Sequence, residues 1–141
     1  MSQGELSVLL IEDDDVAAEA VVRGVRKHGL NIPVVVAENG LEALDVLRNK
    51  HPERKLAKPY VILLDLNMPR MNGFEFLTEL RGDPILSESV VFVLTTSDND
   101  IDKSRAYQEH VAGYMVKSSI GPQFYKLVQL LEDYKDAVEL P

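Results

Sequence analysis

Four carboxylates and one lysine stand where short apolar runs end. Glu12, Asp13 and Asp14 follow the run at residues 6–11 (LSVLLI), and Asp65 follows residues 60–64 (YVILL). A continuous apolar run bounded by a turn reads as a strand buried on both faces, and the Met68–Pro69 step after Asp65 marks such a turn. If the two strands are neighbours, Glu12, Asp13 and Asp65 converge on one crevice, and Asn67 can add its backbone carbonyl. Carboxylates about 4 Å apart repel by roughly 4 kcal/mol at an effective dielectric near 20, so the cluster calls for a cation. An all-oxygen set completed by water suits Mg²⁺ or Mn²⁺ better than zinc. Thr95 and Lys117 end two further apolar runs, where a hydroxyl and an ammonium would bind an anion beside the metal. A carboxylate next to a divalent cation, with Thr and Lys placed to hold phosphoryl oxygens, can attack a phosphoryl donor and become an aspartyl phosphate. Taken singly, the acids could be no more than helix caps, a role expected for Asp14 or Asp15, and Lys117 an ordinary surface lysine.

The elements that must position these groups follow from hydrophobic periodicity. Strands are expected at residues 7–11, 34–37, 60–65, 89–95 and 114–117, and helices at 16–28, 41–49, 74–81, 100–110 and 123–134. Five βα units in about 130 residues predict an α/β, doubly wound parallel sheet. A flavodoxin-like strand order 2-1-3-4-5 would make the first and third strands neighbours at the switch point, where such sheets build their sites. Residues 39–42 (NGLE) and 72–75 (NGFE) carry the capping-box pattern with Asn as the cap. Pro122 suits the first turn of the last helix. Phe76, Leu77 and Leu80 share one helix face, and Phe124, Leu127, Leu131 and Tyr134 another; both stripes read as core. Residues 48–58 (RNKHPERKLAK) form a basic connection, either solvated or in contact with a partner.

Composition narrows the field. The chain has 141 residues, 45% of them hydrophobic, enough to bury a core as one domain. It has no cysteine, which excludes disulfides and thiolate metal sites. No apolar run approaches the ~20 residues of a membrane span, and residues 1–6 lack the pattern of a signal peptide. A cytoplasmic protein without membrane contact is expected. The net charge of −8 lacks the basic footprint of nucleic-acid binding.

Four motifs in order carry a resemblance: Glu12–Asp13; residues 64–73 (LDLNMPRMNG) with Asp65; Leu94–Thr95–Thr96; and residues 113–117 (GYMVK), with Tyr114 and Lys117. Over nearly its full length the chain resembles the receiver domain of two-component response regulators. The resemblance implies that Asp65 takes a phosphoryl group from a sensor histidine kinase. It implies that Asp13, Asp65 and the Asn67 carbonyl bind Mg²⁺, for which Mn²⁺ can substitute, with Glu12 acting through water. Lys117 would bond the phosphoryl group, Thr95 would move to it, and Tyr114 would swing inward as the second switch residue. Such a protein promotes its own phosphorylation and dephosphorylation without being a conventional enzyme. Residues 1–134 would be the receiver and 135–141 a tail.

A narrower resemblance rests on residues 94–97 (LTTS), Asp83–Pro84, the basic connection and the closing residues 138–141 (VELP). These look like small single-domain regulators paired with phytochrome-type kinases, a group whose C-terminal arm is associated with homodimers. The expected partners are thus a kinase of bacteriophytochrome type and a second copy, joined through the last helix and tail. No DNA-binding helix pair or second catalytic domain is read after residue 135. Ser118 stands where most receivers have proline, and Asn72 where Asp is usual. Three other readings compete. A haloacid-dehalogenase-type phosphatase needs an Asp-x-Asp-x-Thr/Val run, which Val16–Ala17 breaks. A flavodoxin-like FMN carrier would not place Glu12, Asp13 and Asp14 against a phosphate. An unphosphorylated pseudo-receiver would not need the acidic set or Lys117.

Overall fold

The computed structural model describes residues 6–27, 32–68, 71–96, 99–116, 129–130 and 133. Among the described residues, five strands, β1 (Ser7–Ile11), β2 (Val34–Ala37), β3 (Tyr60–Leu64), β4 (Val91–Thr95) and β5 (Gly113–Val116), alternate with four helices, α1 (Asp15–Lys27), α2 (Gly40–Leu47), α3 (Gly73–Gly82) and α4 (Asp100–Gln108). All strand pairs are parallel, and the order is β2-β1-β3-β4-β5, the expected flavodoxin-like arrangement. Gln129, Leu130 and Asp133 are helical, within the span expected for a last helix. Phe124, Leu127, Leu131, Tyr134 and the tail lie outside the described residues.

Side-chain alternation along the strands builds two cores. Val8 and Leu10 of β1 join Val61 and Leu63 of β3 on one face, covered by Ala18, Val21 and Val25 of α1. Leu9, Ile11, Ile62 and Leu64 face the other way, onto Phe76, Leu77 and Leu80 of α3 and Ala43 and Leu44 of α2. Both faces of the central strands are therefore dry, which is why their sequences read as unbroken apolar runs.

The helix starts differ in one respect from expectation. Asn72 closes a full capping box: its Oδ1 accepts from the Glu75 N–H at 2.9 Å, and the Asn72 N–H donates to Glu75 Oε1 at 3.2 Å. Asn39 makes only the first half, accepting from the Glu42 N–H at 2.9 Å. The Glu42 carboxylate is instead paired with Arg54, and His51 Nε2 lies 3.8 Å from it. The carboxylate is drawn to the guanidinium charge rather than to the neutral backbone donor of its own helix start.

The basic connection is folded back by this pair and by its own bonds. His51 Nδ1 accepts from the Glu53 and Arg54 N–H groups at 3.1 and 3.0 Å. Further along, Arg81 of α3 is a staple. Its guanidinium donates to the carbonyls of Ser87, Ser89, Glu109 and His110 at 2.7–3.0 Å. Burial pulls its pKa below the ordinary value, with Glu109 opposing.

Candidate functional site

The site is set by register. Ile11 lies opposite Leu64, so Glu12 and Asp65 leave neighbouring strands side by side. The Asp65 N–H donates to the Ile11 carbonyl at 3.0 Å, and the Glu12 N–H to Ala37 at 2.9 Å, extending the ladder past the last strand residues. Glu12, Asp13 and Asp65 each bring a carboxylate oxygen within 4.8 Å of the others. Glu12 is 4% exposed and Asp65 5%, while Asp13 faces solvent. Asp14, by contrast, turns away to cap α1, its Oδ1 accepting from the Val16 N–H at 2.9 Å and the Ala17 N–H at 3.3 Å. Asp15 occupies the first turn. The run of four acids thus divides into two that converge with Asp65 and two that serve the helix.

The donor set fits a hard divalent cation. It is all carboxylate, and a backbone N–H reaches each buried acid: Asn67 N–H to Asp65 Oδ1 at 3.2 Å, and Asp14 N–H to Glu12 Oε2 at 3.4 Å. The same Asn67 bond fixes the Asp65 side chain. At 4.8 Å and an effective dielectric near 20, the buried Glu12 and Asp65 charges repel by about 3–4 kcal/mol. A cation removes that repulsion.

The segment after Asp65 is held by glycine contacts that periodicity does not reveal. The Gly73 N–H donates to the Leu66 carbonyl at 3.0 Å. A Cβ on Gly73 would sit 2.6 Å from Leu66 Cα and 2.7 Å from the Asp65 carbonyl oxygen. Gly40, opening α2, donates to the Met71 carbonyl at 3.2 Å. A Cβ there would meet Met71 Cγ at 2.7 Å. Two helix starts therefore press on the loop that carries Asp65. The only sequence signal was glycine directly after each Asn cap, which also has a plain capping explanation.

Of the residues expected to bind an anion, Thr95 is fully buried at the end of β4. Val93 lies opposite Leu64, so Asp65 and Thr95 close the same sheet edge one and two residues further on. Thr95 in turn lies opposite Val116. Lys117 follows directly in sequence and, with Ser118, lies outside the described residues. Tyr114 on β5 is partly buried against the α2–α3 core. Among the described residues no helix is long and apolar enough to cross a membrane.

Known proteins similar to this chain belong to one family. Residues 8–130 match the response regulator receiver domain. The response regulator Rcp1 of Synechocystis is 33% identical over 135 residues, covering 95% of this chain and 92% of Rcp1. The crystal structure of the phosphorylated cyanobacterial phytochrome response regulator RcpA superposes with a TM-score of 0.82 at 31% identity, over 98% of this chain and 99% of that one. The Mn²⁺-bound form of Rcp1 gives 0.79 at 32% identity, over 96% and 98%. On the matched family over most of the chain, and on relatives alike in sequence and fold over nearly their whole length, the chain belongs to the response regulator receiver domains of two-component systems and resembles those that serve phytochromes.

Proposed function

We propose that this protein is a response regulator that accepts a phosphoryl group from a sensor histidine kinase onto Asp65, in phytochrome light signalling. The observation that carries the reading is the convergence of Glu12, Asp13 and Asp65 within 4.8 Å at the carboxyl edge of the sheet. An Asp65 carboxylate oxygen attacks phosphorus. The phosphorus–nitrogen bond of the donor phosphohistidine breaks, and its electron pair goes to an imidazole already protonated on the other nitrogen, which leaves neutral. Asp13, Asp65 and the Asn67 carbonyl would hold Mg²⁺ or Mn²⁺, with Glu12 acting through water. The bound cation supplies charge neutralisation for the carboxylates and for the transferring oxygens. Lys117 bonds the phosphoryl oxygens, and Thr95 moves to them while Tyr114 turns inward.

Relatives support the details: a phosphorylated form of RcpA and a Mn²⁺-bound form of Rcp1 are known. In this reading residues 1–134 are the receiver, and residues 135–141 form an arm that joins two copies with the last helix, as isologous contacts commonly do. Incubation with Mg²⁺ and acetyl phosphate, followed by intact mass measurement, tests the reading. The wild type should gain one hydroxylamine-labile phosphoryl group, and Asp65→Asn none. Equal phosphorylation of Asp65→Asn would refute the acceptor assignment. Light scattering of the full chain against one ending at Tyr134 tests the arm; if neither dimerises at micromolar concentration, with or without phosphodonor, the arm has no such role.

A further inference from the structure

Arg105 of α4 holds its guanidinium carbon 4.0 Å from the centroid of the Phe74 ring. Phe74 is buried, and it is the residue after Gly73, whose backbone is wedged against Asp65 and Leu66. The Gly73 N–H donates to the Leu66 carbonyl, and the space for a Cβ is already taken by the Asp65 carbonyl oxygen at 2.7 Å. There is no slack between residues 65–66 and the start of α3. A displacement of the Asp65 backbone is therefore carried into Phe74.

The other end of this contact is the weakly held helix. α4 buries one side chain, Ala106, in nine residues, whereas α3 buries Phe74, Phe76, Leu77 and Leu80. An element with so little buried apolar area is drawn from the low-stability end of the fold and moves most readily. The Arg105 stacking adds a direct tie from this helix to the start of α3. Cation–π attraction requires the cation within about 6 Å of the ring centroid, so a ring shift of about 2 Å would release it.

We propose that Arg105 is a positioning residue whose stacking on Phe74 ties α4 to the loop bearing Asp65, a mechanical route from the acceptor to α4 separate from Thr95 and Tyr114. This rests on Asp65 being the phosphoryl acceptor. It predicts that α4 loosens or shifts when Asp65 is modified, and that the response depends on the cation–ring pair. Arg105 is exposed, so removing its charge leaves the core intact.

Backbone hydrogen exchange over residues 101–108 of the full chain tests this, with phosphorylation followed by intact mass. Without phosphodonor, Arg105→Gln and Phe74→Leu should each speed exchange in α4 by about two- to fivefold. The double variant should add nothing beyond the single ones, and Arg105→Lys, which keeps a cation, should retain slow exchange. With Mg²⁺ and acetyl phosphate, the wild type should change its α4 exchange, and Arg105→Gln should lose at least half of that change while gaining the same phosphoryl mass. Additive single effects, or wild-type exchange in Arg105→Gln, overturn the latch. Unchanged α4 exchange in phosphorylated wild type overturns the route. A wild type that gains no phosphoryl mass refutes the acceptor assignment instead, and the arm without phosphodonor still judges the Arg105–Phe74 contact. Should Phe74→Leu fail to fold, the comparison of Arg105→Gln with Arg105→Lys carries the test.

Discussion

Alanine at Gly73 should damage the protein far more than alanine at Gly82, although both glycines belong to the same helix. A Cβ at Gly73 would lie 2.6 Å from Leu66 Cα and 2.7 Å from the Asp65 carbonyl oxygen, both rigid backbone atoms. Carbon atoms pack at about 3.5–4.0 Å, so α3 and the Asp65 segment must separate by roughly 1 Å. That stretches the 3.0 Å bond from the Gly73 N–H to Leu66, which is worth about 0.5–1.5 kcal/mol. Overpacking adds about 1–3 kcal/mol. Against this stands about 0.4–1 kcal/mol from the stiffer unfolded chain. The net expectation is a loss of about 2 kcal/mol, within a range of roughly 0.5–4 kcal/mol. At Gly82 nothing lies within 4 Å of an added Cβ, so only the favourable term remains and Gly82→Ala should gain about 0.4–1 kcal/mol. Gly40→Ala should fall between, since its nearest clash is the flexible Met71 side chain at 2.7 Å. Urea denaturation of the three variants gives the order directly. Gly73→Ala should also be phosphorylated more slowly by acetyl phosphate, because the displaced backbone carries Asp65. If Gly73→Ala is as stable as Gly82→Ala, the close approach does not hold the acceptor loop and the reasoning fails.

Three further outcomes follow from particular contacts. Asp13→Asn should weaken Mg²⁺ binding sharply in a titration while leaving the metal-free protein no less stable, because it removes one of three mutually repelling charges; wild-type Mg²⁺ affinity would contradict the site. The Asp83 carboxyl is held below its ordinary pKa first by the backbone N–H of Ile85, with burial opposing and Arg48 helping. Its folded pKa is depressed, so its contribution is present above the unfolded value of about 3.9 and is lost as pH falls through the folded pKa. The stability deficit of Asp83→Ala, measured by urea titration, should therefore shrink below about pH 4; a deficit constant down to the acid limit would argue against it. Arg81→Lys should cost about 2–4 kcal/mol in the same assay, since a lysine offers three donors on a point charge and cannot serve four carbonyls in a fork; a change below 0.5 kcal/mol on that scale of effects would deny the staple.

The strands and their order of use were legible because β1 and β3 are buried on both faces, and such strands are written as continuous apolar runs ending abruptly in acids. Helix limits drifted by a residue or two, as at α2, expected from 41 and observed from Gly40. The expected fourth strand began at residue 89, but pairing starts at Val91, and the Ser89 hydroxyl is instead hydrogen-bonded to the Tyr60 hydroxyl at 2.8 Å. A polar residue at a strand entrance looks the same in sequence whether it pairs in the ladder or through its side chain.

By itself the sequence determined which residues stand at strand ends: Glu12 and Asp13 after β1, Asp65 after β3, Thr95 at the end of β4. That is a one-dimensional fact, because an apolar run and the acid that stops it are adjacent in the chain. Only the tertiary structure decided that Ile11 lies beside Leu64, which turns separate acids into a cluster within 4.8 Å. It also decided that Glu42 leaves its capping box for Arg54, that Gly73 has no room for a methyl group, and that Arg105 rests on Phe74. Each of these depends on groups that only the folded chain brings into contact, where packing and charge decide the outcome and local pattern has no hold.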